Sequence, residues 1–347
     1  MSRLFFVGRY LSAQLLTEPI EEGQHAKEER IYNFLHVPQK LERLLAFGYI
    51  ICLDSFLYNL TVLPLRLFIS LLSLAYSLLV RAVLRRWPVY NPLPCFKPDL
   101  QRGLIILLVS MLLHELIDSS RLYHSIRGQS VIKLYVIFNV FEIADRLCCS
   151  FGLDILDSYF ANDRSPLLPS WLHFTLSVVY VFLHTVVLFY QAITLNVAIN
   201  SFSNGLLTLL VSNQFVELKG AVFKRFEKEN LFQLACADIL ERFQLSFFLL
   251  IIGLRNLSEV WSSSLNDLPR VLGELTGPLI VVYMSEILVD WLKHSFITKF
   301  NHIHPDVYVR YMQILCRDFQ FGDLIDRSPM VSRRIGFSSF PLCCLVL

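Results

Sequence analysis

Long apolar runs, broken by short polar stretches, set the pattern of this chain. A helix needs about 20 mostly apolar residues to cross a ~30 Å hydrocarbon core, so the runs read as membrane segments. The blocks are Leu44 to Val80, Gly103 to Ile117, Val131 to Gly152, Leu172 to Asn200, Phe243 to Leu257 and Val271 to Leu292. The first is too long for one crossing. Pro64, with the polar Asn59 and Thr61 near its middle, predicts a hairpin of two helices closed by Arg81, Arg85 and Arg86. The fourth block ends in SFSNG, where Asn204-Gly205 is a chain-reversal signal.

Composition agrees with a membrane location. Hydrophobic residues make up 54% of the 347 and charged residues only 17%, against roughly 45–50% and about 25% in soluble domains. A net charge of +2 is too small to point to nucleic acid. The position of the basic residues matters more, because Lys and Arg gather on the cytosolic side. Segments 1–43, 81–102, 201–242 and 293–334 hold 6, 5, 5 and 7 of them. All four share one side if the third block does not cross. The pattern therefore predicts six crossings, both ends cytosolic, and a third block that lies at the interface or packs inside the bundle.

That third block carries charge where lipid would be expected. Tyr135, Asn139, Glu142 and Arg146 follow i, i+4, i+7, i+11 spacing and share one helical face, with Asp145 at its margin and Lys133 away from it. Headgroups or polar groups of other helices suit such a stripe, and hydrocarbon does not. Asp54 and Arg66 fall in the two arms of the expected hairpin, where a turn near residue 61 would pair them. Glu286, Asp290 and Lys293 project from one face of the last block, and Tyr180, His184 and Gln191 share a register in the fourth. Helix-packing networks use these residue types, and so do ion or proton paths.

Catalytic signatures are sparse. HELID, from His114 to Asp118, lacks the second histidine of a zinc-protease helix, and His302 and His304 are only two apart. The eight cysteines show no CxxC pair, and the amino-terminal run is too short for a cleaved signal peptide. No cofactor, metal or catalytic residue is assigned. In the segment 212–243, Phe215, Leu218, Val222 and Phe226 form an apolar stripe among charges, fit for an interfacial helix or a partner-docking surface. Asp238 and Glu241 have capping-box spacing and would open the next span. Asn59 and Asn256 sit in glycosylation sequons close to the expected membrane surface. The tail, Cys344-Leu345-Val346-Leu347 behind Arg333 and Arg334, has the form of a prenylation motif.

Several strings converge in order: RIYNFLHVPQKLERLLAFG, RGQSVIKLYVIFNVFEIADRL, TLNVAINS, SNQFVELKGAVFKRFEKENLFQ, KHSFITKFNHIHPDVY and RRIGFSSFPL. From Arg30 to Leu342 the chain resembles the transmembrane anterior posterior transformation protein family. The resemblance implies a polytopic endoplasmic reticulum membrane protein, linked in animals to centrosome or ciliary basal body and to skeletal patterning. In fungi it implies protection of newly made lumenal proteins together with a SUN-domain membrane partner. It carries no catalytic residues. Against that family this chain lacks the long polar N-terminal region many members carry and stops at Leu347, as a shorter isoform or gene model would.

The expectation is an all-α, polytopic helical membrane protein of about six crossings plus amphipathic interfacial helices. Residues 1–43 form a cytosolic segment, 44–300 the membrane domain with amphipathic helices at 131–152 and 212–243, and 301–347 a cytosolic C-terminal segment. The expected role is a non-enzymatic scaffold whose partners include membrane lipids. The alternative is an ion or small-solute channel or transporter built on Glu142, His184, Glu286 and Asp290.

Overall fold

Leu44 to Val80 does not turn back on itself. In the computed structural model, which describes residues 21–84, 96–160, 169–200, 205–263, 268–321 and 334–347, helix α1 (Glu21–Leu57) runs through one π-helical turn, Tyr58–Val62, into α2 (Leu63–Leu84). Pro64 is accommodated because a proline lacks an N–H and crowds the carbonyl one turn back, and a wider turn relieves both. The Leu63 N–H reaches back five residues to the Tyr58 carbonyl. The helix is unbroken over the 49 residues Glu28–Tyr76 and contains a stretch apolar enough to cross a membrane. At 1.5 Å per residue that is about 74 Å, more than twice the hydrocarbon thickness, so part of it stands outside the membrane. The expected hairpin is corrected to one long helix.

The other elements are α3 (Phe96–Leu116), α4 (Ser119–Arg127), α5 (Val131–Phe160), α6 (Ser170–Ile199), α7 (Gly205–Val222), α8 (Lys228–Ser263), α9 (Leu268–Phe300), α10 (Asp306–Phe321) and α11 (Ser339–Val346). Every regular element among the described residues is helical. Two helices there are long and apolar enough to cross a membrane, Glu28–Tyr76 and Trp171–Ile199; the pair Pro98–Leu116 and Ser120–Arg127, bent by 60°, makes a third if it is one span. Arg85, Arg86, Asn204 and Arg333 lie outside the described residues.

Helices α5 and α6 form an antiparallel pair over their whole length. Ser158 meets His173 at one end, Asp145 meets His184 midway, and Phe141 stacks on Tyr190 at the other. Gly152 makes the close approach work: a Cβ there would lie 1.7 Å from the Tyr180 ring. The outward ridge of α5 is Ile132, Val136, Val140, Ile143, Leu147 and Phe151, all exposed. Its polar stripe turns toward α7 and α8 instead. An apolar outside with a polar inside is the arrangement lipid favours. Helix α5 therefore packs along α6 and is not a helix lying apart on the surface.

The core is built around α1. Leu41, Leu44, Ile239, Phe243, Leu231 and Tyr308 are fully buried where α1 meets α8 and α10. Gly48 lets Ile239 seat against the α1 backbone, and an added Cβ would come within 2.3 Å of it. Asp238 and Glu241 do not cap anything; they lie inside α8, whose first turn is ten residues earlier. Helix α11 closes the bundle. Its Ser339 Oγ accepts from the buried Asn59 amide at 2.5 Å, and Cys344 is buried against α3 with its thiol toward the Ile106 carbonyl. In this fold Cys344, the lipidation candidate, is held in helix α11 and not in an extended tail.

Candidate functional site: a buried polar network between the helices

Lys293, on α9, is the hub. Its ammonium lies 2.7 Å from Asp238 Oδ1 on α8 and 2.9 Å from Asp290 Oδ1 on its own helix. The other oxygen of Asp290 accepts from Arg242 Nε at 2.7 Å, and Arg242 Nη1 reaches Glu42 on α1 at 2.7 Å. Trp291 Nε1 donates to the same Glu42 oxygen at 2.6 Å. The second oxygen of Asp238 bonds His294 Nε2 at 2.6 Å, and His294 Nδ1 meets the Tyr308 hydroxyl of α10 at 2.9 Å. Four helices are thus joined by one chain of ion pairs and hydrogen bonds. Each of these ions would be costly alone in a low-dielectric interior, and each is held by a partner of opposite sign.

A second cluster lies alongside. Arg146 on α5 bonds Glu142 at 3.1 Å, Glu217 on α7 at 3.6 Å, and Glu241 on α8. The Asn213 amide donates to Glu142 at 3.5 Å and accepts from the Tyr135 hydroxyl at 3.3 Å. Lys293 reaches Glu217 at 3.9 Å and so joins the two clusters. Glu286 accepts from the Gln214 amide of α7. A third group connects α5 to α6: His184 bonds Asp145 at 2.7 Å and Tyr180 at 2.9 Å, with Cys149 beside both.

Of the expected network, Glu142, Arg146 and Asp290 fall in the two linked clusters and His184 in the third, while Glu286, among the described residues, bonds only Gln214 of α7. The Asn139 Oδ1 is buried without a hydrogen-bond partner, although its residue shares their stripe. The Asp54–Arg66 pairing is corrected. Twelve residues apart on one continuous helix, they are separated by about 18 Å of rise. Arg66 pairs instead with Asp99 on α3 at 2.9 Å and bonds the Tyr58 hydroxyl, while Asp54 is exposed. The 212–243 segment breaks after Val222, and its apolar stripe is mostly turned inward. Val222 is buried, Leu218 half-buried, and Phe226 packs on the core with its N–H on Asn301; Phe215 stays exposed. Asp238, Arg242, His294 and Asp145 were not singled out as network members by sequence. The i, i+4 spacing of Asp238 with Arg242 was the available signal.

Asp306, at the start of α10 and outside the candidate spans, accepts from Lys40 on α1 at 2.5 Å. That hydrogen bond holds the Asp306 carboxyl below the usual carboxylate range. In the HELID string, Asp118 caps α4 by accepting from the Ser120 and Arg121 N–H groups at 3.1 and 3.3 Å.

No solved structure matches this chain. It is 43% identical to "Endoplasmic reticulum membrane protein 65" of Schizosaccharomyces pombe, over 97% of this chain and 56% of that one. It is 45% identical to "Protein TAPT1 homolog" of Dictyostelium discoideum over 94% and 41%, respectively. With the human "Transmembrane anterior posterior transformation protein 1 homolog" it shares 43% identity over 98% of this chain and 60% of that one. The chain thus spans 41% to 60% of the length of these curated relatives. Residues 94–347 match the family DUF747, described as a eukaryotic membrane protein family. A helical chain with its charges turned inward, matched over most of its length by these relatives, belongs to that eukaryotic membrane protein family.

Proposed function

We propose that this chain is a non-enzymatic, multi-pass scaffold or adaptor of the endoplasmic reticulum membrane, serving protein quality control and, as the resemblance implies, cilium formation and axial patterning. The fission yeast relative, named as an endoplasmic reticulum membrane protein, supports the compartment. The observation that carries the scaffold reading is the chain of ion pairs from Glu42 through Arg242, Asp290 and Lys293 to Asp238, which ties α1, α8 and α9 to one another. Charges spent on each other fix the relative position of helices, as a docking platform requires. A SUN-domain membrane protein is the partner the resemblance implies.

Proximity labelling from the full chain in endoplasmic reticulum membranes, read by mass spectrometry, tests this. Recovery of a SUN-domain protein, lost when Lys293→Met disrupts the clamp, is expected. Purified chain in liposomes tests the transport alternative. Ion or proton flux above that of empty vesicles, abolished by Glu286→Gln, would replace the scaffold with a channel or transporter.

A further inference from the structure

We propose that Asp145, Cys149 and His184 form a zinc site inside the helix pair α5–α6. Asp145 and Cys149 lie one turn apart on α5, so both point at the same spot on α6, where His184 stands. The three donor atoms lie close together: Asp145 Oδ1 to His184 Nε2 is 2.7 Å, Cys149 Sγ to Asp145 Oδ1 3.8 Å and Cys149 Sγ to His184 Nε2 3.9 Å. Around a tetrahedral zinc ion, with bonds of about 2.3 Å to sulfur and about 2.0–2.2 Å to nitrogen and oxygen, such donors sit roughly 3.2–3.6 Å apart. Sulfur moves in by a few tenths of an ångström. The His–Asp contact opens by about half an ångström.

Charge points to a cation here. Asp145 is 6% exposed, Cys149 7% and His184 1%. The other buried carboxylates Asp238, Asp290 and Asp99 each hold a Lys or Arg. Among the described residues, no Lys or Arg lies within ion-pair distance of Asp145; Arg146, next in the chain, turns to Glu142, Glu217 and Glu241. A divalent ion with one carboxylate and one thiolate makes a neutral unit in that interior. The donor set also suits zinc, which accepts sulfur, imidazole and carboxylate together.

The surroundings supply the support such a site needs. A zinc-bound histidine donates its other ring N–H to a partner that fixes the ring. His184 Nδ1 meets the Tyr180 hydroxyl at 2.9 Å, and Tyr180 is wedged over Gly152. Gln244 on α8 reaches Asp145 Oδ1 at 3.5 Å. On binding, the thiol proton leaves to solvent and the imidazole proton sits on Nδ1, freeing Nε2 for the metal. The fourth position is left to water. Because the site is closed, zinc enters as the helices pair, and the metal pins α5 to α6.

The test uses the full chain purified in detergent, with folding checked by helical circular dichroism and monodisperse elution. About one zinc per chain, measured by plasma mass spectrometry, is expected. Cys149→Ser and His184→Gln should each lower the zinc content tenfold or more, whereas Cys52→Ser leaves it unchanged. Protein made in cobalt-supplemented medium should show a thiolate-to-cobalt charge-transfer band that Cys149→Ser removes. Tyr180→Phe keeps the ring over Gly152 and should weaken zinc retention against a chelator by roughly 10–100-fold. This variant decides the matter if a ligand substitution prevents folding. Folded wild-type chain without zinc, a zinc content indifferent to Cys149→Ser, or retention unchanged by Tyr180→Phe each overturns the site.

Discussion

Lys293 and Asp238, both 1% exposed, face each other 2.7 Å apart across the α8–α9 contact. Removing the cation leaves carboxylates in a place chosen for a pair. Lys293→Met should destabilise the chain by about 3–5 kcal/mol. Thermal unfolding in detergent measures it; a Tm within error of wild type would show that the ions are independently satisfied.

For Arg66, the partner is Asp99. Arg66→Met and Asp99→Asn should each lower stability, and the double variant should lose less than the sum, with a coupling of about 0.5–3 kcal/mol. Asp54→Asn, at an exposed position, should stay within about 0.5 kcal/mol of wild type. A coupling between positions 54 and 66 in a turnover assay would restore the hairpin.

The outward ridge of α5 should touch lipid. A photoreactive lipid should label probes at Val140, Ile143 and Leu147 and spare probes at Glu142 and Asp145, following the exposure of those positions. Equal labelling on both faces would mean that α5 lies outside the hydrocarbon. Protease protection then asks about sidedness: tags at both ends and near Lys224 should be digested in sealed microsomes.

Gly152→Ala forces the Tyr180 ring to move, because the new Cβ would overlap it at 1.7 Å. A loss of about 1–3 kcal/mol follows from such overpacking. Tyr180→Ala in the same chain should recover part of that loss by emptying the space, and no recovery at all would place the strain elsewhere.

The buried amides of Asn59 and Asn256 are committed to Ser339 and Asn200. Both sequons should therefore remain unmodified. A glycosidase-sensitive shift abolished by Asn256→Gln would show that this end opens.

Helical class and membrane character were legible because apolar runs and Lys/Arg clusters act over many residues. The stripe of Glu142 and Arg146 was legible for the same reason, since 3.6-residue periodicity needs no knowledge of partners. What escaped the sequence was pairing at a distance. Arg66 had two acids to choose from, and only the continuous helix through Pro64 decides for Asp99. Asp238 matched a capping box because an acid three residues before another acid is common to helix starts and to helix interiors. Cys149 carried no motif, since its neighbour His184 comes from a helix 35 residues away.

The π-turn at Tyr58–Val62 sets the phase of everything after it. One surplus residue in the turn rotates α2 by about 100° relative to a plain helix. The two halves of the long helix are thereby addressed separately: α1 aims its apolar face at α8, and α2 aims Arg66 and Leu67 at α3, where they meet Asp99 and Gly103. Deleting one residue, such as Thr61, would set Pro64 in an ordinary helical turn and point Arg66 away from its acid. Length in this segment works as a code, so a frame of one residue there separates a locked bundle from a loose one.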